Sequence, residues 1–318
     1  MIWKALFSLL GVGSFVYILH GYGFAHLAED LVHLGWWSIP LALSFLPTVM
    51  CYALAWLLIT PEFTYKHLGK LFRLMLISIS WNNLSPFVKV LGEPVRVRLM
   101  SRWIDKKSSA RSMVLYNIVH TLGTLISFFL ASLLMILLYP VSPFLHGALA
   151  AFLVISPLLT FGLYLLPHLV KRFFGRSAHR NRLVIAGFWV RWGFSKIRIF
   201  SRRFPARFWG AVFLEIAARF VEGVTFWIAF RAIGQSASVM ACGLIDVGRA
   251  IVDNLFFFIP YQVGSREGGI VMLAEHALGL TGAAAVSAAV FYRLVEIFWT
   301  GVGYLFWIQD ENAFKSST

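Results

Sequence analysis

Cysteine, acidic residues and charge in general are scarce in this sequence. Only two of the 318 residues are cysteines, Cys51 and Cys242, and both stand in apolar segments. They therefore indicate neither a disulfide framework nor a metal site. Charged residues make up only 13% of the chain. The sequence contains no clusters of His and Cys at metal-ligand spacing, no glycine-rich nucleotide loop and no ATP motif. We therefore expect no cofactor and no step driven by ATP.

Apolar residues, in contrast, are abundant. They account for 59% of the chain and include 30 Phe and 12 Trp. A water-soluble domain of this size could not bury so much apolar surface in its core. Apolar runs of about 20 residues recur along the chain, and this length crosses ~30 Å of hydrocarbon. The sequence predicts an all-α polytopic membrane protein that forms a single transmembrane domain, residues 1–318.

Six segments are predicted to cross the membrane. The first follows Lys4; a signal peptide is the alternative interpretation, but no small-residue cleavage site follows it. Basic residues concentrate in the loops after the second and fourth segments, which the positive-inside rule places in the cytoplasm, together with both termini. We expect the membrane to be the bacterial cytoplasmic (inner) membrane. The predicted spans are residues 5–19, 36–59, 113–138, 148–170, 208–230 and 281–308.

The net charge of +14 is concentrated in a few loops. Residues 171–207 hold eleven Lys and Arg and no acidic residue. Within this basic loop, residues 183–200 form an amphipathic pattern with Trp189 and Trp192 among the arginines, which is typical of a helix lying on an anionic membrane. We therefore expect the loop to be cytoplasmic and to contact anionic lipid, not nucleic acid.

A broken apolar segment lies between residues 254 and 269. An apolar run stops at Pro260, which has no backbone N–H, and three glycines follow, beginning with Gly264. A helix should end here and restart. Arg266 and Glu267 stand between the glycines, where we expect them to form an ion pair. Inside a bilayer, free backbone groups and ionisable side chains are tolerated only beside protein or a wet cavity, so this segment is the candidate functional site.

The same pattern occurs earlier in the chain. Residues 86–93 and 260–267 both run from a proline through six residues, with a glycine among the last of them, to a glutamate, at an offset of 174. The same offset maps residues 36–138, the first repeat unit, onto residues 210–312, which overlap the second unit at residues 210–308, and the two units would have opposite orientations in the membrane. Inverted repeats with broken helices near the midplane are a recurring plan of transporters. Coincidence is the alternative, because proline and glycine are common in membrane helices.

At least ten charged residues interrupt otherwise apolar segments. Since a charge at the bilayer centre costs about 2.5–3.5 kcal/mol or more, these side chains should line a cavity and pair. Several are three or four residues apart and share a helix face. The alternative is that they are interhelical ion pairs that only hold the bundle together. The candidate substrate-binding residues are Arg266, Glu267, Glu93, Arg96, Arg293, Asn82 and Asn254, with Glu215, Arg219, Glu222, Asp246, Arg249, Asp253 and Glu296 as supporting buried charges.

Arginine suits a lipid phosphate because its planar guanidinium binds phosphate oxygens in a bidentate manner. A broken helix offers free N–H groups beside it. We expect Arg266 and Glu267 at the centre of the substrate path and near Glu93. The lone histidines, such as His120 and His276, are interpreted as loop or interface residues and not as ligands.

Two motifs carry a resemblance to a known family. They are Asn82-x3-Pro86-x5-Gly92-Glu93-x2-Arg96 and Ile259-Pro260-x3-Gly264-x-Arg266-Glu267, followed by Arg293. Over most of its length the chain resembles the lysylphosphatidylglycerol synthase transmembrane region, or flippase-like, family, which includes a hopanoid-biosynthesis-associated branch. Family members of this size lack the soluble aminoacyl-transferase domain, and we expect none here, so the resemblance does not imply lipid aminoacylation. It implies movement of a phospholipid or isoprenoid-type lipid between leaflets.

Two other functions stay open. One is an intramembrane lipid-modifying enzyme, or an accessory protein of a lipid-biosynthesis pathway, with Glu93 or Glu267 as the general base. The other is a scaffold that recruits partners, such as lipid-biosynthesis enzymes, through residues 171–207. The sequence does not name the lipid, the coupling ion or the oligomeric state.

Overall fold

The computed structural model describes residues 24–85, 91–174 and 199–315, together with Gly13 and His20. These residues are predominantly helical and contain no β-strand, as an all-α protein requires. Three predicted features lie outside the described residues: the first span at residues 5–19, most of the first break at residues 86–90, and most of the basic loop with its amphipathic segment at residues 175–198.

The helices are numbered in chain order. The α-helices are α1 (Phe24–Leu34), α2 (Ser38–Leu43), α3 (Leu46–Ile59), α4 (Leu68–Leu84), α5 (Gly92–Met100), α6 (Lys106–Leu138), α7 (Pro143–Phe174), α8 (Pro205–Ala232), α9 (Val239–Leu255), α10 (Ser265–Leu278) and α11 (Gly282–Lys315). Short 3-10 helices precede α2, α4 and α10, at Gly35–Trp37, Tyr65–His67 and Pro260–Gln262.

Four stretches of the described chain are long and apolar enough to cross a membrane, and they overlap four of the six predicted spans. The predicted fifth span corresponds to α8, whose 28 residues extend over roughly 42 Å. Helix α8 is not among the four, and it carries three charged residues within eight positions. Six crossings therefore stay a prediction. The four stretches are Leu27–Ile59, Lys106–Leu138, Pro143–Gly162 and Gly282–Asn312.

Side-chain caps fix the start of two helices, α6 and α9. The carboxylate of Asp105 accepts a hydrogen bond of 2.9 Å from the backbone N–H of Ser108 at the start of α6. This backbone hydrogen bond lowers the pKa of the Asp105 carboxyl below its ordinary value. The Ser238 hydroxyl likewise accepts from the backbone N–H of Ala241 at 3.1 Å and starts α9. Each cap satisfies a backbone donor that has no partner within the helix.

Helix α8 lies at the centre of the bundle and packs against α3, α6, α9 and α11. Glycines allow the close approaches. A Cβ atom on Gly223 of α8 would lie 2.4 Å from the Cα of Gly243 on α9, and one on Gly123 of α6 would lie 2.5 Å from the Cβ of Glu215. Small residues at such crossings are characteristic of helices packed in a membrane. The packing leaves Glu215 and Glu222 of α8 buried inside the bundle.

The outer surface of the helix bundle is apolar, whereas its interior contains charged side chains. Large hydrophobic side chains on α7, α8 and α11 are exposed, whereas most of the carboxylates and guanidiniums of α8 to α11 are buried or half-buried. Water-soluble proteins show the opposite distribution. The surface therefore fits a lipid environment and supports a multi-pass membrane protein. Exposed side chains on these helices include Phe144, Val154, Leu158, Phe161, Phe213, Ile297 and Leu305.

Candidate functional site

The predicted break after Pro260 is present and contains two residues in the left-handed region. Tyr261 and Gln262 have φ values of 54° and 51°. Each such residue costs about 1–3 kcal/mol and persists only where the surroundings fix it. Gln262 is fixed by two arginines: its side-chain Oε1 accepts from Arg266 Nη2 at 3.1 Å, and its backbone oxygen accepts from Arg293 Nη2 at 3.2 Å.

Glu267 fixes the start of α10 and joins it to α11. One of its carboxylate oxygens accepts from the backbone N–H of Gly264 at 2.7 Å, and the other accepts from Arg293 Nε at 2.7 Å. The first contact reaches back to the residue before the helix, as in a capping box. Gly264 has a φ of 81°, which suits glycine.

Arg266 is 1% exposed and is held by carboxylates from two other helices. It binds Asp253 of α9 through both Nε and Nη2, at 2.8 and 2.7 Å, and Glu296 of α11 through Nη1 at 2.5 Å. The predicted ion pair between Arg266 and Glu267 is wrong, because Glu267 pairs with Arg293 instead. Consecutive residues of a helix point in different directions and do not face each other.

Arg249 of α9 forms a second centre beside the first. It contacts Asp246 at 2.8 Å, Asp253 at 2.9 Å and Glu222 of α8 at 3.3 Å. Its Cζ lies 4.5 Å from the ring centre of Tyr292, whose hydroxyl donates to Glu222. The predicted pairing of Arg249 with its neighbours one turn away is confirmed, as is the pairing of Arg293 with Glu296, at 3.4 Å.

These groups form one network, which we call the arginine cluster. It contains five carboxylates and three guanidiniums, so negative groups are in excess when all are ionised. Within the described residues, Asp246 Oδ2 is buried without a hydrogen-bond partner. A lipid phosphate would have to displace a carboxylate to reach Arg266. The cluster comprises Glu222, Asp246, Arg249, Asp253, Gln262, Arg266, Glu267, Tyr292, Arg293 and Glu296.

A second group of polar residues surrounds Arg96 of α5. The guanidinium carbon of Arg96 lies 5.3 Å from the ring centre of Trp56 on α3 and 5.4 Å from that of Tyr116 on α6. Its Nε is buried and has no hydrogen-bond partner among the described residues. Glu93, in the first turn of α5, accepts from Asn117 Nδ2 at 3.1 Å. Glu93 and Glu267 therefore lie in separate groups, and their predicted approach stays a prediction.

The segment of α8 that carries Glu215 and Arg219 connects the two groups. Glu215 lies 2.7 Å from His120 Nδ1, and Arg219 donates to the hydroxyl of Thr124 at 3.2 Å. Among the described residues, Arg219 makes no ion pair with Glu215 or Glu222, although the spacing predicts a shared face. His120, which was expected in a loop or interface, lies within α6 at its interface with α8, while His276 lies in α10.

The two asparagines have local roles. The side-chain oxygen of Asn82 accepts from the backbone N–H of Gly92 at 2.8 Å and joins the end of α4 to the start of α5. Asn254 donates to the carbonyl of Ala250 at 2.7 Å, within its own helix. Substrate binding by either asparagine stays a prediction.

Sequence reasoning missed several members of these groups. Gln262 stands inside the predicted break, and Tyr292 is adjacent to Arg293, so proximity to known candidates was the available signal. Tyr116, His120 and Thr124 recur every four residues and therefore occupy one face of α6. That spacing in an apolar helix could have indicated a polar face directed at α8.

Comparisons with known proteins agree with the resemblance seen in the motifs. A search of curated proteins and a search of solved structures each found no similar protein. The family model described as "Lysylphosphatidylglycerol synthase TM region" matches residues 1–303, which include both the arginine cluster and Arg96. The chain therefore belongs to the lysylphosphatidylglycerol synthase TM region family, a membrane family related to lipids.

Proposed function

We propose that this protein moves a phospholipid or isoprenoid-type lipid between membrane leaflets without ATP. The observation that carries the proposal is a series of charged groups buried inside a bundle whose outer surface is apolar. The transfer of a lipid headgroup across hydrocarbon has a high free-energy cost, because one charge at the bilayer centre costs about 2.5–3.5 kcal/mol or more. Polar groups inside the protein lower that barrier, and the acyl chains stay in lipid.

The path runs along α8. Glu215, Arg219 and Glu222 occupy about 10 Å of this helix, at a rise of 1.5 Å per residue. At one end of this stretch Glu215 contacts the α6 face near Tyr116, and at the other end Glu222 contacts Arg249. A headgroup that follows α8 meets a charged or polar group at every turn.

The inverted repeat is part of this proposal. Glu93 and Glu267 each lie in the first turn of the helix that follows a break. Helix α3 packs along α8, which is its counterpart at the offset of 174 residues. Paired broken helices at the interface of two inverted units are suited to alternating access. In this scheme Arg266 and Glu267 are central, and Glu93, Arg96 and Arg293 support them.

The test is reconstitution of the purified protein in vesicles that carry a trace of fluorescent phospholipid. Quenching of the outer leaflet reports exposure of labelled lipid over time, and mass spectrometry of the same lipid reports any chemical change. We expect faster exchange than in protein-free vesicles and unchanged lipid. Arg266→Gln should slow the exchange strongly. A matched control is Arg98→Gln, since Arg98 is 62% exposed and pairs at the surface with Glu311.

The same assay separates the other functions. Chemically altered lipid would favour an intramembrane enzyme, with Glu93 or Glu267 as its base. In the structure both Glu267 oxygens are occupied by hydrogen bonds, which does not favour that role. A scaffold predicts that neutralising the buried charges leaves its activity intact.

A further inference from the structure

Arg96 is a buried guanidinium that no carboxylate contacts directly. It is 8% exposed, and among the described residues it forms no ion pair. Its Nε donates no hydrogen bond there. Arg219, which is half-buried and makes no ion pair among the described residues, donates a hydrogen bond to Thr124. Arg96 therefore differs from the arginines of the cluster, each of which contacts at least two carboxylates.

The missing anion is not supplied by an undescribed part of the chain. The sequence has fourteen Asp and Glu residues, from Glu29 to Glu311, and every one lies in the described ranges 24–85, 91–174 and 199–315. No side-chain carboxylate of this protein therefore lies in ion-pair contact with Arg96, and the charges of Glu93 and Glu215 act on it only from a longer distance. A buried charge without a partner is costly, and proteins retain such groups where a ligand supplies the opposite charge.

The surroundings of Arg96 favour an anion with a planar or tetrahedral face. Trp56 and Tyr116 pack against the guanidinium and each other, with their ring centres 5.1 Å apart. The Trp56 indole N–H donates to the hydroxyl of Ser112 at 2.8 Å, which fixes the ring. Cation–π contacts stabilise the positive charge without occupying the N–H groups in the plane of the guanidinium. The two rings thus orient the guanidinium of Arg96, and its Nε has no hydrogen-bond partner within the described part of the chain.

The position of Arg96 suits a headgroup. Trp56 stands three residues before the end of α3, and Tyr116 lies about 15 Å along α6 from its start at Lys106. The site therefore lies beside the last turn of α3 and within the N-terminal half of α6. Basic residues follow α5 and begin α6, so an anionic group would be attracted toward this end.

We propose that Arg96, oriented by Trp56 and Tyr116, binds a phosphate group. That the phosphate belongs to a lipid headgroup rests on the proposed function; the phosphate site itself does not. Arginine forms bidentate, charge-assisted hydrogen bonds with phosphate oxygens, and a lipid phosphodiester and free phosphate share this chemistry. Arg96 would then receive the headgroup before it reaches Arg219 and the arginine cluster.

The binding test uses the purified full chain in a neutral detergent, with thermal unfolding as the readout. The probes are short-chain phosphatidylglycerol, a short-chain diacylglycerol without phosphate, and inorganic phosphate. We expect phosphatidylglycerol to raise the Tm of the wild type and diacylglycerol to leave it unchanged. An equal rise with inorganic phosphate identifies the source as free phosphate and still supports the site.

Variants at Arg96 test its role in that binding. Arg96→Gln should weaken phosphatidylglycerol binding roughly tenfold to a hundredfold, the loss expected for hydrogen bonds to a charged group. Arg96→Lys keeps the charge and loses the fork, so it should bind with intermediate strength. Arg98→Gln, on the same helix, should bind like the wild type. No Tm shift in the wild type, or an equal shift in Arg96→Gln, overturns the proposal.

A structural role for Arg96 gives a different result without ligand. If Arg96 awaits an anion, Arg96→Met removes an uncompensated buried charge and should leave the Tm of the ligand-free protein equal or higher. If Arg96 instead stabilises the fold through its contacts with the two aromatic rings, the Tm of the Arg96→Met variant falls below that of the wild type, and the proposal is wrong. Binding in detergent involves no leaflets. Binding through Arg96 without lipid exchange in vesicles would therefore contradict the proposed function and leave this inference intact.

Discussion

Asp253 is the residue that joins the two halves of the arginine cluster, because its carboxylate binds both Arg249 and Arg266. Asp246 contacts Arg249 through one oxygen only, and its other oxygen is buried without a partner in the described structure. The two aspartates lie on one helix about two turns apart and therefore have very different surroundings.

The first prediction compares these aspartates. Asp253→Asn should destabilise the protein by roughly 3–5 kcal/mol, since it breaks two buried ion pairs at once, those with Arg249 and with Arg266. Asp246→Asn keeps an acceptor for Arg249 and removes one carboxylate from a cluster that has an excess of them, so its stability should be close to that of the wild type. Thermal unfolding in detergent measures both. Equal destabilisation by the two changes would contradict the sharing of Asp253.

The second prediction concerns Arg266 and Glu267. Had they paired with each other, replacing both by methionine would leave no unpaired charge behind. Their actual partners are Asp253 and Glu296 for Arg266, and Arg293 for Glu267. Arg266→Met with Glu267→Met should therefore lower the Tm by more than either change alone. A double variant as stable as the wild type would indicate that Arg266 and Glu267 pair with each other.

At the scale of elements, the break between α9 and α10 gives the third prediction. Tyr261 is 47% exposed and has a positive φ, so Tyr261→Gly should relieve strain and keep or raise stability. Gln262 also has a positive φ, but its side-chain Oε1 accepts a hydrogen bond from Arg266, and Gln262→Gly removes that bond, so this change should lower stability. Unfolding of the matched pair is the measurement. A loss of stability in both variants would indicate that the Tyr261 side chain holds the break.

Some of this could be predicted from sequence and some could not. The break was visible in Pro260 and the glycines, and the pairing of Arg249 with Asp246 and Asp253 followed from helical spacing. Contacts between helices, such as Arg266 with Glu296 or Glu215 with His120, depend on which helices are neighbours. Nothing in an apolar sequence fixes that choice, because lipid-facing and protein-facing surfaces are both apolar.

At the scale of the whole molecule, orientation in the membrane gives the fourth prediction. The excess of Lys and Arg in residues 171–207 predicts that this loop is cytoplasmic, and the uncharged loop between α6 and α7 is predicted to face outward. In a Cys51→Ser background, Ser142→Cys should react with a membrane-impermeant thiol reagent added to intact cells, and Ser177→Cys should react only after lysis. Native Cys242 is fully buried and should contribute little background. Labelling of Ser177→Cys in intact cells would reverse the topology.

The crossing of α8 and α9 at Gly223 and Gly243 has a mechanical consequence. The two backbones touch there, with no side chain between them to change rotamer and accommodate sliding. The pair should behave as a rigid unit, and Glu222, Arg249 and Asp253 travel with it. Movement of α10 relative to that unit would have to occur at the segment around Gln262, and it would break the ion pair that joins Arg266 to Asp253.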